Sequence, residues 1–136
     1  MDKILANNIN NFYKLAMKKY YVANSNIHGK GIFAITDLEL GKDIGHLVFI
    51  VDDMTRHTNK EYFRSRVSES LNTFIERSQL ERYLNHSINP NAICQLNGSE
   101  LRLITIKNIK QDEEITVDYH DAYEKLDQAQ INFRNI

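Results

Sequence analysis

The sequence predicts an α+β chain rich in β-structure, in which small sheets are flanked by an N-terminal and a C-terminal helix. Three observations predict it. Short β-branched runs are separated by Gly, Asn and Asp, as at Tyr20-Tyr21-Val22, Ile32-Phe33-Ala34-Ile35 and Ile44–Val51. The dipeptide Asn97-Gly98, which tolerates the positive φ angles of a tight hairpin, lies between Ala92–Leu96 and Leu101–Ile106. Apolar residues at helical spacing occur only near the ends and in the middle.

Taken in order, Ile4, Leu5, Ile9, Phe12, Leu15 and Ala16 predict an amphipathic helix over 2–18, capped by Asp2. Thr58 followed by Glu61 fits a capping box, and Tyr62, Phe63, Val67, Leu71, Phe74 and Ile75 continue at helical spacing. A last helical turn, Leu80-Tyr83-Leu84, runs into the polar loop 85–91. The hairpin follows, then a strand over Glu114–Tyr119, then a polar, helical tail over Asp121–Arg134. The organisation expected is an N-terminal helix at 1–19, one domain at 20–123 and a C-terminal helical tail at 124–136.

The chain has 136 residues, which fits one domain, and a net charge of −1. A near-neutral balance argues against a protein that grips nucleic acid, which needs a basic surface. The single cysteine, Cys94, excludes an internal disulfide and a cysteine-rich zinc cluster. No run approaches the ~18 apolar residues of a membrane span. The expectation is a soluble, intracellular protein, in cytoplasm or nucleus. The histidines (His28, His46, His57, His86 and His120) show no metal-ligand spacing. Ser87 beside His86 lacks a nucleophile elbow.

Three segments carry chemistry. His28-Gly29-Lys30-Gly31 is a turn in which glycine lets backbone approach a ligand closely. Arg82-Tyr83-Leu84-Asn85-His86-Ser87-Ile88-Asn89-Pro90-Asn91 is more polar than a turn requires and would suit a polar cofactor. Asp112–Tyr119 is an acidic turn followed by a strand.

In this order the three segments resemble the SET-domain lysine methyltransferases. The middle motif matches at Arg82, Asn85, His86, Ser87, Pro90 and Asn91, the last at Glu114, Asp118 and Tyr119. The resemblance covers about residues 20 to 123. It implies a SET fold with a C-terminal pseudo-knot and S-adenosylmethionine as cofactor. It implies contacts to that cofactor from Lys30, Gly31, Arg82, Asn85 and His86, with Tyr119 as the catalytic tyrosine and no metal. The substrate implied is an exposed lysine of a histone or another basic protein tail. That lysine must attack as a neutral amine, which at pH 7 corresponds to about 4.6 kcal/mol for a group of unperturbed pKa. A nearby sulfonium and an apolar channel both lower its pKa.

The match departs in places. Ile88 stands where the family has cysteine. Asp121 stands where an aromatic residue often lines the lysine channel. No cysteine cluster closes the channel, so its wall falls to Tyr123 or Phe133 in the tail, or to a second chain in a homodimer. An inactive SET-like module that binds peptide or cofactor is the alternative. From Asp112 to Asp127 seven acidic residues accompany one lysine, either as a solvated face or as a surface attractive to basic tails.

Overall fold

The computed structural model of the protein describes residues 18–52, 63–68 and 73–135. The described residues form, in order, β1 (Tyr20–Asn24), β2 (Lys30–Ala34), β3 (Asp43–Val51), β4 (Phe63–Ser68), β5 (Thr73–Arg77), α1 (Gln79–Tyr83), β6 (Asn85–His86), β7 (Ala92–Asn97), β8 (Glu100–Thr105), β9 (Glu114–Val117) and α2 (Tyr119–Arg134). They form two sheets, ordered β1-β2-β9-β6 and β4-β5-β3-β8-β7. The chain has the β-rich α+β architecture read from its sequence. Among the described residues, no helix is long and apolar enough to cross a membrane.

The hairpin at Asn97-Gly98 forms as expected. β7 and β8 pair antiparallel from Ala92↔Thr105 to Asn97↔Glu100, and Gly98 has a φ of 60°. Alternate residues of β8, Leu101, Leu103 and Thr105, are buried, because side chains of a strand point to opposite faces in turn. Leu101 and Leu103 make one core with Leu47, Val48, Ile32, Ile115 and Leu80, shared by the two sheets.

Within the stretch expected to be helical from Tyr62 to Ile75, the described residues are not helical. Residues 63–68 and 73–77 are strands paired antiparallel to each other, and β5 also pairs with β3 through Ile50↔Ile75 and Val51↔Phe74. The three- and four-residue apolar spacing arises from two strands read as one helix. In β5 the buried Thr73 and Ile75 alternate around Phe74, a pattern that fits a pleated surface and that sheet pairing selects. Thr58, Glu61 and the N-terminal segment read as a helix lie outside the described residues.

Two further boundaries differ. β9 stops at Val117, and Tyr119 opens α2 instead of ending a strand. Asp118 is responsible: its side chain accepts from the His120 N–H at 2.9 Å, an N-cap that starts the helix. From there α2 runs unbroken to Arg134, with Ala122, Leu126, Ala129 and Phe133 packed on the core at helical spacing. Lys125 Nζ donates to the Cys94 carbonyl of β7 at 2.6 Å, and Asn132 Nδ2 to the Gly98 carbonyl at 2.7 Å.

Candidate active site

The polar loop and the acidic strand meet on parallel strands. Asn85 lies opposite Thr116 and His86 opposite Val117. Ser87 N–H extends the ladder to the Val117 carbonyl at 2.9 Å. Asn91 locks the far side: its Nδ2 donates to the Glu114 carbonyl at 2.8 Å, and its Oδ1 accepts from the Thr116 N–H at 2.9 Å.

Asn85 is buried, and its amide nitrogen sits among four oxygens. These are Glu114 Oε2 at 2.9 Å, Ser25 Oγ at 3.1 Å, the His28 carbonyl at 3.1 Å and the Lys30 carbonyl at 3.2 Å. Two carbonyls and a carboxylate can only accept, which fixes the amide orientation. The nitrogen has two hydrogens, so acceptors outnumber donors there. Ser25 Oγ in turn donates to Glu114 Oε1 at 2.7 Å. Gly31 belongs to the same cluster. A Cβ at this position would overlap Glu114 Oε2 and lie 2.9 Å from Glu114 Cδ and 3.1 Å from Asn85 Nδ2, so close approach of backbone requires glycine. Lys30 is exposed and enters the cluster through its carbonyl.

The Tyr119 N–H donates to His86 Nδ1 at 3.0 Å, and their rings lie 5.2 Å apart at 49°. With Nδ1 accepting, neutral His86 carries its proton on Nε2. The Tyr119 hydroxyl donates to the Leu84 carbonyl at 2.5 Å. Burial pushes the Tyr119 hydroxyl pKa up, and the charges of Tyr123, Glu81 and Glu114 push the same way, so the phenol stays protonated.

Beside Tyr119 opens a cavity of about 310 Å³, walled by Leu47 and Val48 of β3, Glu81 and Arg82 of α1, and Tyr119 and Tyr123 of α2. The Arg82 guanidinium lies 5.4 Å from the centre of the Tyr83 ring. Cys94 reaches the floor of the cavity, and burial pushes its thiol up to about 11. Tyr123 is the tail aromatic that walls the cavity, its ring 5.9 Å from that of Tyr119, whereas Phe133 packs on the core. Among the described residues, no group of three metal-ligating side chains is present.

The residues expected at the site thus fall into two adjoining groups. Lys30, Gly31 and Asn85 gather under the β1–β2 turn, Arg82 and Tyr119 line the cavity, and His86 joins the groups through its bond to Tyr119. Sequence reasoning gave no role to Glu114, although it matched a motif. It missed Ser25, which read as a strand break, and the Leu84 carbonyl, which no side-chain pattern could signal. The acidic stretch is not a uniform surface. Glu114 is internal, Asp118 caps α2, Asp112 accepts from Tyr21 at 2.8 Å, and Asp121 pairs with Lys125 at 3.0 Å.

Comparison with known proteins agrees with this architecture. The family model of the SET domain matches residues 29–120. The chain is 30% identical over 128 residues to the H3 lysine-36-specific histone-lysine N-methyltransferase of Candida albicans, across 82% of this chain and 15% of that protein. It therefore spans less than a sixth of that relative's length. A Plasmodium falciparum structure described as a histone methyltransferase is similar at a TM-score of 0.52 and 21% identity, over 76% of this chain and 94% of that one. The structure of ctPRC2 bound to S-adenosylmethionine in an autoinhibited conformation gives a TM-score of 0.56 at 20% identity, over 87% of this chain and 17% of that one. These structures share the fold, and with the family match over residues 29–120 the chain belongs to the SET domain family.

Proposed function

We propose that the chain transfers a methyl group from S-adenosylmethionine to the Nζ of a lysine in another protein, with a histone tail as the substrate class. The observation that carries this reading is Tyr119. Its hydroxyl is fixed on the Leu84 carbonyl, at the edge of a cavity and one residue from Asn85-His86. The names of the relatives support the histone class.

The residues present fit the cofactor. Four oxygens around an amide that can serve two of them leave acceptor capacity for a ligand ammonium such as a methionine α-amine. Lys30 and Gly31 would hold it through backbone, Asn85 and His86 from β6, and Arg82 would support the pocket. When bound, the cofactor supplies an electrophilic methyl on a sulfonium sulfur.

The protein's own contribution is alignment and desolvation. The Leu84 carbonyl and the Tyr119 hydroxyl form a fixed polar pair against which an amine can orient. Leu47, Val48, Leu84 and Val117 give the cavity apolar walls, which disfavour the charged form of a lysine. Orienting two reactants can itself remove several kcal/mol from a barrier, up to about 7–11.

The test is transfer of labelled methyl from S-adenosylmethionine to core histones and a whole-cell lysate. Label on a discrete band is expected, and mass spectrometry of that band reads the lysine and the methyl count. Cofactor binding by calorimetry without label on any protein would turn the reading to a binding module. Absence of cofactor binding would refute it.

A further inference from the structure

We propose that Glu81 is the proton acceptor for the substrate lysine: its carboxylate meets the incoming ammonium in the cavity beside Tyr119 and takes its proton. This inference rests on the methyl-transfer reading above. Methyl transfer needs a free amine lone pair, and lysine at neutral pH arrives as an ammonium. Some group must receive that proton.

Glu81 is the one carboxylate among the described residues lining the cavity. Its backbone is anchored. Glu81 N–H donates to Ser78 Oγ at 3.2 Å, and Ser78 ties α1 to β3 through Oγ on the His46 carbonyl at 2.7 Å and N–H on the Leu47 carbonyl at 2.9 Å. Arg77 Nη1 holds Oε1 at 2.5 Å. Among the described residues, no hydrogen bond reaches Oε2, so one oxygen is oriented while the other can accept from an ammonium.

The other protonatable groups on the cavity wall are poorer acceptors. Glu81, Cys94 and Tyr119 line the same cavity, and Tyr119 and Cys94 are both held in their neutral forms, the charge of Glu81 contributing to each effect. Burial raises the Glu81 pKa while Arg77 opposes it, leaving a carboxylate more basic than an exposed one. The groups facing it are Arg77 from β5, Arg82 on its own helix, Cys94 from β7, and Tyr119 and Tyr123 from α2. The Asp121–Lys125 pair of α2 also acts on Cys94, and Lys125 bonds the Cys94 carbonyl.

The proton balance closes. One ammonium N–H bond breaks and an O–H bond forms on Glu81. The amine lone pair then forms the N–C bond as the C–S bond breaks and its electrons stay on sulfur. The product leaves as a methylated ammonium, and the Glu81 proton returns to solvent.

The experiment measures kcat/KM against pH with a lysine peptide and with its γ-thialysine analogue, whose amine is more acidic. Wild type is expected to hold its rate through neutral pH and to lose it as Glu81 protonates. Glu81→Gln is expected to fall about 100-fold at neutral pH, in the range of lost general-base catalysis, and to rise about tenfold per pH unit. The γ-thialysine peptide should narrow that gap. A Glu81→Gln profile parallel to wild type, or an equal loss with both peptides, overturns the proposal. Arg77→Met gives an independent reading should Glu81→Gln fail to fold. Removing the cation raises the Glu81 pKa and moves the acid limb to higher pH; an unmoved limb overturns the proposal. A wild type that methylates no peptide refutes the methyl-transfer reading itself, a different result from a wild type and Glu81→Gln that methylate alike.

Discussion

Replacing Tyr119 by phenylalanine is expected to lower kcat for methyl transfer about 10²–10³-fold, the scale seen when one preorganised donor is removed from a reacting centre. The effect should be confined to the chemical step. The Tyr119 N–H still reaches His86 Nδ1, and the ring still packs between His86 and Tyr123, so the proposed cofactor pocket keeps its shape. Calorimetry should therefore give a cofactor affinity close to wild type. Losing the bond to the Leu84 carbonyl should cost about 0.5–1.5 kcal/mol of stability, read by urea denaturation. A rate near that of wild type would mean that the hydroxyl neither orients the amine nor shapes the reacting centre.

The largest expected loss of stability comes from changing two hydrogens for a lone pair at one buried atom. Asn85→Asp keeps the size of the side chain but aims an oxygen at Ser25 Oγ, the carbonyls of His28 and Lys30, and Glu114 Oε2. A buried charge would then face a second carboxylate and two carbonyls without a cation. The expected cost at neutral pH is about 3–5 kcal/mol, as for a buried charge left uncompensated. Against a typical stability of about 5–15 kcal/mol, that is a large share. The sign with pH follows from linkage. The new carboxyl has a folded-state pKa above its unfolded value, so the deficit is greatest at neutral pH and shrinks as falling pH protonates it. Urea denaturation of both proteins at pH 7 and pH 5 reads this. A gap that stays constant across that range would mean the site admits water or a counter-ion.

Much of the candidate site was legible because its polar side chains lie close together in sequence. Asn85, His86 and Asn91 share one loop, and Glu114, Asp118 and Tyr119 one short segment. Patterns tied to local backbone also read well: Asn97-Gly98 makes its hairpin, and Leu80 and Tyr83 their turn of helix. What failed to read was whatever distant pairing decides. Phe63–Ser68 and Thr73–Arg77 carry an apolar spacing that suits a helix, and pairing with each other and, for β5, with β3 makes them a sheet. Nothing in its sequence context marks Glu81, because it is the fold that brings α1 and α2 to one cavity. The Leu84 carbonyl had no signature, since a main-chain oxygen is present at every position.

The strand order β1-β2-β9-β6 carries a consequence for how the protein is made. β9 is third in the order of its sheet, yet of the four strands in that sheet it is the last to be synthesised. Ile32 waits for Ile115, and Asn85 for Thr116. Until β9 arrives, β2 and β6 present open edges, which are templates for pairing with other chains. Non-local closure of this kind slows folding. A nascent or truncated chain ending before Glu114 is therefore the aggregation-prone species, and the hazard passes only when β9 slots in between β2 and β6.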